Sequence, residues 1–462
     1  MRILLVVYNN DSYIHTFPIG LGYIAASLRK NGYDVEIYNQ DQNHFPEEHL
    51  TEYLNQNPFD VIGVSFIAGY YQYRKMIKIS KAINTSLNKP IFIIGGHGPS
   101  PDPEFFLKKL QADFVVIGEG EITILNLLKE LSSQKDLSQI NGIAYQENGT
   151  VKINQRQPLI EDIDSIPWPA YHLFPMKYYR LLRMPHAEND DLVMSMLSGR
   201  GCTFKCNFCY RLDKGFRPRS NESIIEEISY LKKNYGITYI AFHDELLMSS
   251  KERTESLCKD FLKSKINVKW SANGRLNYAT EDILKLMKES GCVFINYGIE
   301  SMDDEVLKKM NKALSTKQVF RGVEETIKAG ISPGCNIIFG NIGDSKESLE
   351  KGVDFLLKYS DDSQLRTIRP VTPYPGSPLY YYAIEKGLID SCEDFYENKH
   401  INSDLLTVNF TDLSDDELYQ LLSEANTKLV LNYFHKKQTQ SISDIKELYL
   451  NKNASFRGFR QS

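Results

Sequence analysis

Twice along this chain, short apolar runs alternate with segments of helical periodicity, and this alternation constrains the fold more than any other feature. In the first series the runs are ILLVV (3–7), DVEIY (34–38), DVIGVSF (60–66), PIFIIGG (90–96) and DFVVIG (113–118). Leu21, Ile24, Ala25 and Leu28 recur at helical spacing and stop at Asn31-Gly32. Helical patterns also follow the third run, to about residue 87, and the fifth, from Glu121 to Leu131. Runs this continuously apolar predict strands covered on both faces, hence a doubly wound, Rossmann-like parallel sheet between helices. The stretch GIAYQENGTVKIN (142–154) differs: Asn148-Gly149 between two strand-like runs predicts a type I′ hairpin. Residues 160–175, rich in proline and aromatics and without periodicity, predict a packed linker.

The second series places strands at 192–198, 237–243, 268–273, 293–299, 334–340 and 366–371, with helical patterns between them. One such pattern is NESIIEEISYLKKNYG (221–236), where Asn221 is the expected N-cap and Gly236 lies past the end. Six β/α units predict a curved, partial (β/α)6 barrel of TIM type whose site lies at the C-terminal ends of the strands. After about residue 390 the strand signal fades; 411–436 reads as helix, followed by a polar end. The expected class is therefore α/β, with domains at 1–140 and 186–390, a hairpin and linker at 141–185, and a small helical region at 391–462.

A net charge of −5, with 42% hydrophobic and 24% charged residues, fits a soluble globular chain and lacks the basic footprint of a nucleic-acid binder. The start, MRILLVVYNN, reads as a strand rather than a signal peptide, and no apolar run reaches the roughly 18 residues of a membrane span. Seven cysteines do not form a disulfide framework: three fall in SGRGCTFKCNFCYR (198–211), and Cys258, Cys292, Cys335 and Cys392 stand singly, as small buried hydrophobes. The expected compartment is the reducing cytoplasm.

Cys202, Cys206 and Cys209, within eight residues, call for a metal reading. Structural zinc wants four protein ligands, so a zinc site here needs a distant fourth. An iron–sulfur cube normally takes four thiolates, one per iron. Three leave one iron without a protein ligand, and an open coordination position is the mark of a catalytic metal site. Gly199 and Gly201 give the loop backbone freedom, while Arg200, Lys205 and Arg211 are placed to offset cluster charge.

The C-x3-C-x2-C run, with aromatic Phe208 before the third cysteine, resembles the radical S-adenosylmethionine (SAM) superfamily. The resemblance implies that Cys202, Cys206 and Cys209 bind a [4Fe–4S] cluster whose open iron holds SAM, which is cleaved to a 5′-deoxyadenosyl radical with an electron from a reductant such as flavodoxin or ferredoxin. YGIESMDDEVLKKMNK (297–312) resembles the family's fourth-strand segment, which puts Glu300 and Ser301 near the SAM ribose. SANGRLN (271–277) resembles the third strand, with Ser271, Asn273 and Arg275 alternating toward one face. FHDELL (242–247) ends the second strand with Asp244 and Glu245, and PVTPYPGSPLY (370–380) resembles the sixth-strand exit.

The first 150 residues are similar to the cobalamin-binding domain that precedes many such barrels, through 17–41, GVSF (63–66), IIGGHGPSPDPEFFL (93–107) and VIGEGE (116–121). That similarity implies a cobalamin site at Ser65, Gly95, Gly96, Gly118, Glu119 and Gly120, beyond the strand ends where open α/β sheets bind ligands. The D-x-H-x-x-G run that supplies an imidazole to cobalt is absent; in YNNDSYIHTFPIG (8–20), His15 has the wrong spacing from Asp11 and Gly20. Cobalamin is thus expected without a protein histidine ligand. The methylthiotransferase branch is set aside, because no cysteine precedes Cys202. The leading expectation is a class B radical SAM methyltransferase acting on an unactivated carbon of a small-molecule or lipid-like substrate. Ring closure, rearrangement or oxidation on the same cofactors is the alternative; a cobalamin- or nucleotide-sensing protein with a structural metal is the alternative of another kind. Tyr70, Tyr71, Tyr73 and Tyr380–Tyr382 line a pocket or, more ordinarily, pack, and the C-terminal helices are expected to cover the barrel mouth.

Overall fold

Each apolar run of the first series becomes a strand, and all but the edge strand at 34–39 are largely buried on both faces. The structure, a computed structural model, describes residues 1–11, 15–133, 136–211 and 215–454. Strands β1 (Arg2–Val7), β2 (Asp34–Asn39), β3 (Val61–Ser65), β4 (Ile91–Gly95) and β5 (Phe114–Val116) are parallel. On one face Ile3, Leu5 and Val7 pack under helices Ile19–Lys30 and Gly120–Ser133; on the other Leu4 and Val6 meet Leu50, Met76 and Ile79. The hairpin forms as β6 (Ile143–Glu147) and β7 (Thr150–Ile153), with Asn148 and Gly149 both at positive φ, as a type I′ turn requires. It adds antiparallel to β5, so the sheet runs β2-β1-β3-β4-β5-β6-β7. The connection reverses between β1 and β3, where such sheets open a crevice at the carboxyl ends of their strands.

The second series forms a six-stranded parallel sheet from β8 (Val193–Met196), β11 (Tyr239–Phe242), β12 (Lys269–Gly274), β13 (Cys292–Glu300), β14 (Ser332–Phe339) and β15 (Arg369–Pro370), in sequential order with open edges at β8 and β15. Met194, Phe242, Trp270, Ile295 and Tyr297 face the surrounding helices; Val193, Tyr239 and Ala241 close the floor with Leu182. Between β8 and β11 a short antiparallel hairpin, β9 (Gly199–Cys202) with β10 (Gly215–Pro218), carries the cysteines.

Three local expectations change. The helix after β10 is capped by Ser220, whose Oγ accepts from the Ser223 amide at 3.1 Å; Asn221 is its first helical residue. Ser220 has the extended backbone a cap needs, and both side chains are good caps, so adjacency alone misled. The sixth strand shrinks to two residues. The C-terminal helix runs Asp415–Tyr449, well past residue 436, because its polar residues are helix formers linked by bonds such as Gln440 to Asp444.

Two features join the sheets. Residues Tyr380, Ala383, Ile389, Cys392, Phe395 and Tyr396 pack on the first domain against Tyr73 and Phe106, and Glu397 pairs with Lys109 at 2.6 Å and Arg74 at 3.2 Å. On the opposite side Glu119, expected at a cofactor, has its carboxylate taken up by the hairpin. Arg200 donates to its Oε1 at 2.9 Å and Arg217 to its Oε2 at 2.8 Å, while the Ile160 amide donates to Oε2 at 3.0 Å. Arg200 also reaches Glu121 at 2.6 Å, so its charge is spent on this clamp and not beside the cysteines. Burial works against the charge on Glu119, but Arg217, Arg200 and the Ile160 amide outweigh it and hold its carboxyl below the usual range.

Glu119→Gln removes the charge and leaves Arg217 buried, at an expected cost of roughly 3–5 kcal/mol read from the thermal midpoint. Because the folded pKa is lowered, the clamp's contribution is full above the ordinary value of 4.5 and is lost as pH falls through the depressed value. The wild-type midpoint should fall in acid more steeply than that of the variant.

Candidate functional site

The loop between β9 and β10 can only turn where it does because Gly201 has φ of +87°, and a Cβ there would lie 2.3 Å from the Gly215 carbonyl. Hydrogen bonds then fasten it over the barrel mouth. The Asn207 amide donates to Met310 O at 2.9 Å, its carbonyl accepts from Leu379 N at 2.8 Å, and Asn311 donates to Lys205 O at 2.8 Å. Arg211 reaches the Cys202 carbonyl at 3.5 Å, and residues 212–214 lie outside the described part.

Two cations with aromatic partners frame the thiols. The Arg275 guanidinium lies 3.6 Å from the Phe204 ring centroid and donates to the Lys312 carbonyl. Lys312 lies 5.5 Å from the Phe208 centroid and pairs with buried Glu300 at 3.1 Å. A hydrogen bond from Cys209 pushes the Cys206 thiol down, to about 6; burial opposes this, and Lys312 and Arg275 favour the thiolate. Cys202 is pushed up by burial. Glu300 ends β13 in the left-handed region, at φ +76°, after a register shift against β14. Such backbone strain in a non-glycine residue persists only where the surroundings over-determine it.

Of the residues expected near SAM, Phe208, Arg275 and Glu300 therefore converge on the cysteines. Ser271 is buried deeper, beside Tyr239, and Ser301 accepts from the Asp303 amide at 3.2 Å in the turn that follows β13. Asp244 is wholly buried; its carboxylate accepts from Ser198 N at 2.8 Å, and burial pushes its pKa up to about 6. Lys312 and Phe204 carried no sequence signal. A polar relay across the barrel interior was also missed. Arg366 donates to Asn336 Oδ1 at 2.6 Å, Asn336 to Asn296 at 3.1 Å, Asn296 to Asn273 at 3.1 Å, and Asn273 to the Asp244 carbonyl at 2.8 Å. The alternation that put Asn273 inward also puts Asn296 and Asn336 there, two positions from Phe294 and Gly334, and would have found them.

One cavity of about 900 Å³ lies between the two sheets. Ser65, Gly95, Gly96, Gly118, Glu119 and Gly120 line it from the first sheet, and Leu197, Gly199, Gly201, His243 and Glu245 from the barrel. It extends as an apolar finger past Ile24, Leu28, Ile124 and Leu128. A Cβ on Gly96 (φ +98°) would lie 2.7 Å from Phe66 O and Ser65 Oγ, so only bare backbone leaves that wall open. Tyr71 lines the cavity; Tyr73 and Tyr380 pack in the core. His15 is stacked edge-on against Tyr178, 4.3 Å between centroids, and is not part of the lining.

Comparison with known proteins matches residues 196–356 to the Radical SAM superfamily and 5–128 to the B12 binding domain. A protein of Pyrococcus horikoshii described as an uncharacterized methyltransferase is 31% identical over 84% of this chain and 84% of its own length. The chain belongs to the radical SAM superfamily, in the branch with a B12-binding domain. The cytidylyl-2-hydroxyethylphosphonate methyltransferase of Streptomyces wedmorensis is 26% identical over 84% of this chain and 82% of its own. The fold matches the cobalamin-dependent S-adenosylmethionine radical enzyme OxsB, solved with aqua-cobalamin and S-adenosylmethionine bound, with TM-score 0.72 at 18% identity over 97% of this chain and 73% of that one. The chain is thus a radical SAM enzyme of the cobalamin-dependent methyltransferase family, and its cofactors are a [4Fe–4S] cluster, SAM and cobalamin. The residues present fit these groups: three thiols on a fastened loop, and a glycine-walled apolar cavity at the strand ends. Among the described residues no three His, Cys, Asp or Glu side chains converge as ligands of one ion.

Lys312→Met strands Glu300 in a buried position, at an expected cost of roughly 3–5 kcal/mol. It also frees Phe208 and the loop around it. The variant should show a lower thermal midpoint and retain less iron than wild type after anaerobic reconstitution and gel filtration, whereas Lys312→Arg should retain both.

Proposed function

We propose that this enzyme methylates an unactivated carbon of a small-molecule or lipid-like substrate held between the two sheets. The observation that carries this reading is the cavity of about 900 Å³, walled on one side by the ends of β3, β4 and β5 and on the other by the cysteine-bearing hairpin and the exit of β11. Methyl transfer to an unreactive carbon needs a hydrogen-abstracting centre and a methyl donor facing one substrate, and this arrangement supports that.

Cys202, Cys206 and Cys209 would hold three corners of the cluster and leave one iron free of protein ligands. Ser65, Gly95, Gly96, Gly118 and Gly120 would receive the corrin, with its tail in the apolar finger; His15, packed on Tyr178, lies outside the lining, and the imidazoles within it are His97 and His243. When bound, the cluster with SAM supplies a 5′-deoxyadenosyl radical, and cobalamin supplies the methyl group. Glu300 is held by Lys312 through one carboxylate oxygen, and the other would be available to the SAM ribose. Arg275, stacked on Phe204, keeps a positive charge beside the thiolates. The apolar walls exclude water from the reacting centre. A reductant such as flavodoxin or ferredoxin, in the cytoplasm, would supply the electron. No helix among the described residues is long and apolar enough to cross a membrane.

After anaerobic reconstitution with iron, sulfide and cobalamin, turnover of SAM should yield S-adenosylhomocysteine and 5′-deoxyadenosine in equal amounts. Cys202→Ser, Cys206→Ser and Cys209→Ser should each remove deoxyadenosine formation and the cluster's visible absorption. Deoxyadenosine without S-adenosylhomocysteine would overturn methyl transfer, leaving other radical chemistry.

A further inference from the structure

The C-terminal helix is anchored over only part of its 35 residues. Leu418, Leu422, Ala425 and Leu429 are buried against the barrel, where the helix packs on Lys346–Tyr359. Lys436 makes a last tie, to Asp362 at 3.1 Å and the Ser360 carbonyl at 3.2 Å. Beyond it, among the described residues, the side-chain hydrogen bonds of residues 437–450 stay within the helix: Gln440 to Asp444, Ser441 to the Lys437 carbonyl. The segment extends an anchored helix, and helices in proteins gain most of their stability from packing an apolar face, so a partner on this one would stabilise it.

The exposed face says what. Leu431, Phe434, Ile442, Ile445 and Tyr449 are 65, 58, 46, 44 and 69% exposed. At about 100° per residue they fall, with Gln438, on one stripe about 80° wide, roughly opposite the anchored face. The stripe is self-complementary about a point near residue 440. Laid antiparallel on a copy of itself, it sets Leu431 opposite Tyr449, Phe434 opposite Ile445 and Gln438 opposite Ile442. Along one flank lie Lys437 and then Asp444. In an antiparallel pair a flank faces the same flank of its partner, so Lys437 meets the partner's Asp444, and the reverse, by the two-fold axis. The other flank, with Thr439 and Lys446, adds no complementary pair. The same register brings the partner's Leu450 to Val430 and Leu431, at the end of a groove of about 490 Å³ that runs back along this helix past Ser423 and Thr427. Leu450 is 73% exposed in the single chain.

We propose that the chain is a homodimer joined by antiparallel pairing of the distal half of this helix, through the stripe from Leu431 to Tyr449 and the reciprocal Lys437–Asp444 contacts.

Sedimentation velocity on the full-length, anaerobically prepared protein tests this. At tens of micromolar the mass should be twice 53.1 kDa. Phe434→Glu with Ile445→Glu should return it to a monomer. Lys437→Glu and Asp444→Lys should each weaken association by roughly tenfold or more, since each sets like charges opposite one another; the two combined should restore it, which a merely structural effect on the monomer would not do. A wild type that stays at 53.1 kDa overturns the proposal, including one that co-sediments with anionic lipid vesicles instead. So does a dimer indifferent to Phe434→Glu with Ile445→Glu, or a charge-reversed double variant no better than either single one.

Discussion

The arrangement of this molecule depends on one buried carboxylate. Glu119, at the end of β5, receives Arg200 from β9 and Arg217 from β10, and those two strands are the stem of the loop that holds Cys202, Cys206 and Cys209. Apolar contact alone would let the two domains slide, because it has no direction. A buried guanidinium–carboxylate cluster tolerates almost no displacement, since a misplaced charge is left desolvated and unpaired. The Tyr23 ring, 5.0 Å from the Arg200 guanidinium, covers the cluster, and the Ile160 amide and carbonyl draw in the linker. The distance from thiols to cavity is thereby set by charge geometry rather than by a flexible connection.

The cavity these contacts fix has two kinds of wall. Toward the first sheet it is apolar and lined by bare glycine backbone, which suits a bulky ligand that is held by shape. Toward the barrel it meets the exit of β11 at His243, Asp244 and Glu245, and there an ordered polar relay through the barrel interior ends. In the relay from Arg366 through Asn336, Asn296 and Asn273 to the Asp244 carbonyl, every donor points the same way. Each amide is oriented by its neighbour, so the interior offers fixed dipoles that need not reorganise when a polar ligand enters. Radical chemistry demands both properties at once: a dry approach to the reacting carbon and a rigid seat for the cleaved co-substrate.

Much of this was legible in the residues. Runs such as ILLVV read as strands because they are buried on both faces, and Asn148-Gly149 read as a hairpin because only such residues accept two positive φ values in succession. The three cysteines read as a cluster site because their number leaves one iron free. What was not legible was pairing at long range. Glu119 in VIGEGE reads as a cofactor-site residue at a strand end, and nothing in it announces partners 81 and 98 residues away. Lys312 follows a run of ordinary helix residues and shows its role only where the chain folds it onto Glu300 and Phe208. The C-terminal helix outran its expected end because a stripe that stays exposed among the described residues looks, in sequence, like a polar tail with scattered apolar residues.

The domains are held on two sides, and this bears on how anything reaches the cavity. The Glu119 clamp closes one side. On the other, the segment after β15 crosses to the first domain, burying Phe395 and Tyr396 against Tyr73 and Phe106, with Glu397 pinned between Lys109 and Arg74. A hinge that opened the cavity by swinging the sheets apart would have to break a buried ion cluster or an aromatic core, each costing several kcal/mol. The sheets therefore act as one rigid frame. Access then falls to the loops at the strand ends: the hairpin tip with the cysteines, and the segment between β3 and the helix Tyr70–Asn84, where Ile67, 57% exposed, borders the cavity. Substrate selection in such a frame is a property of those loops, which vary without disturbing the clamp, while the clamp and the thiol loop keep the two reactive centres in register.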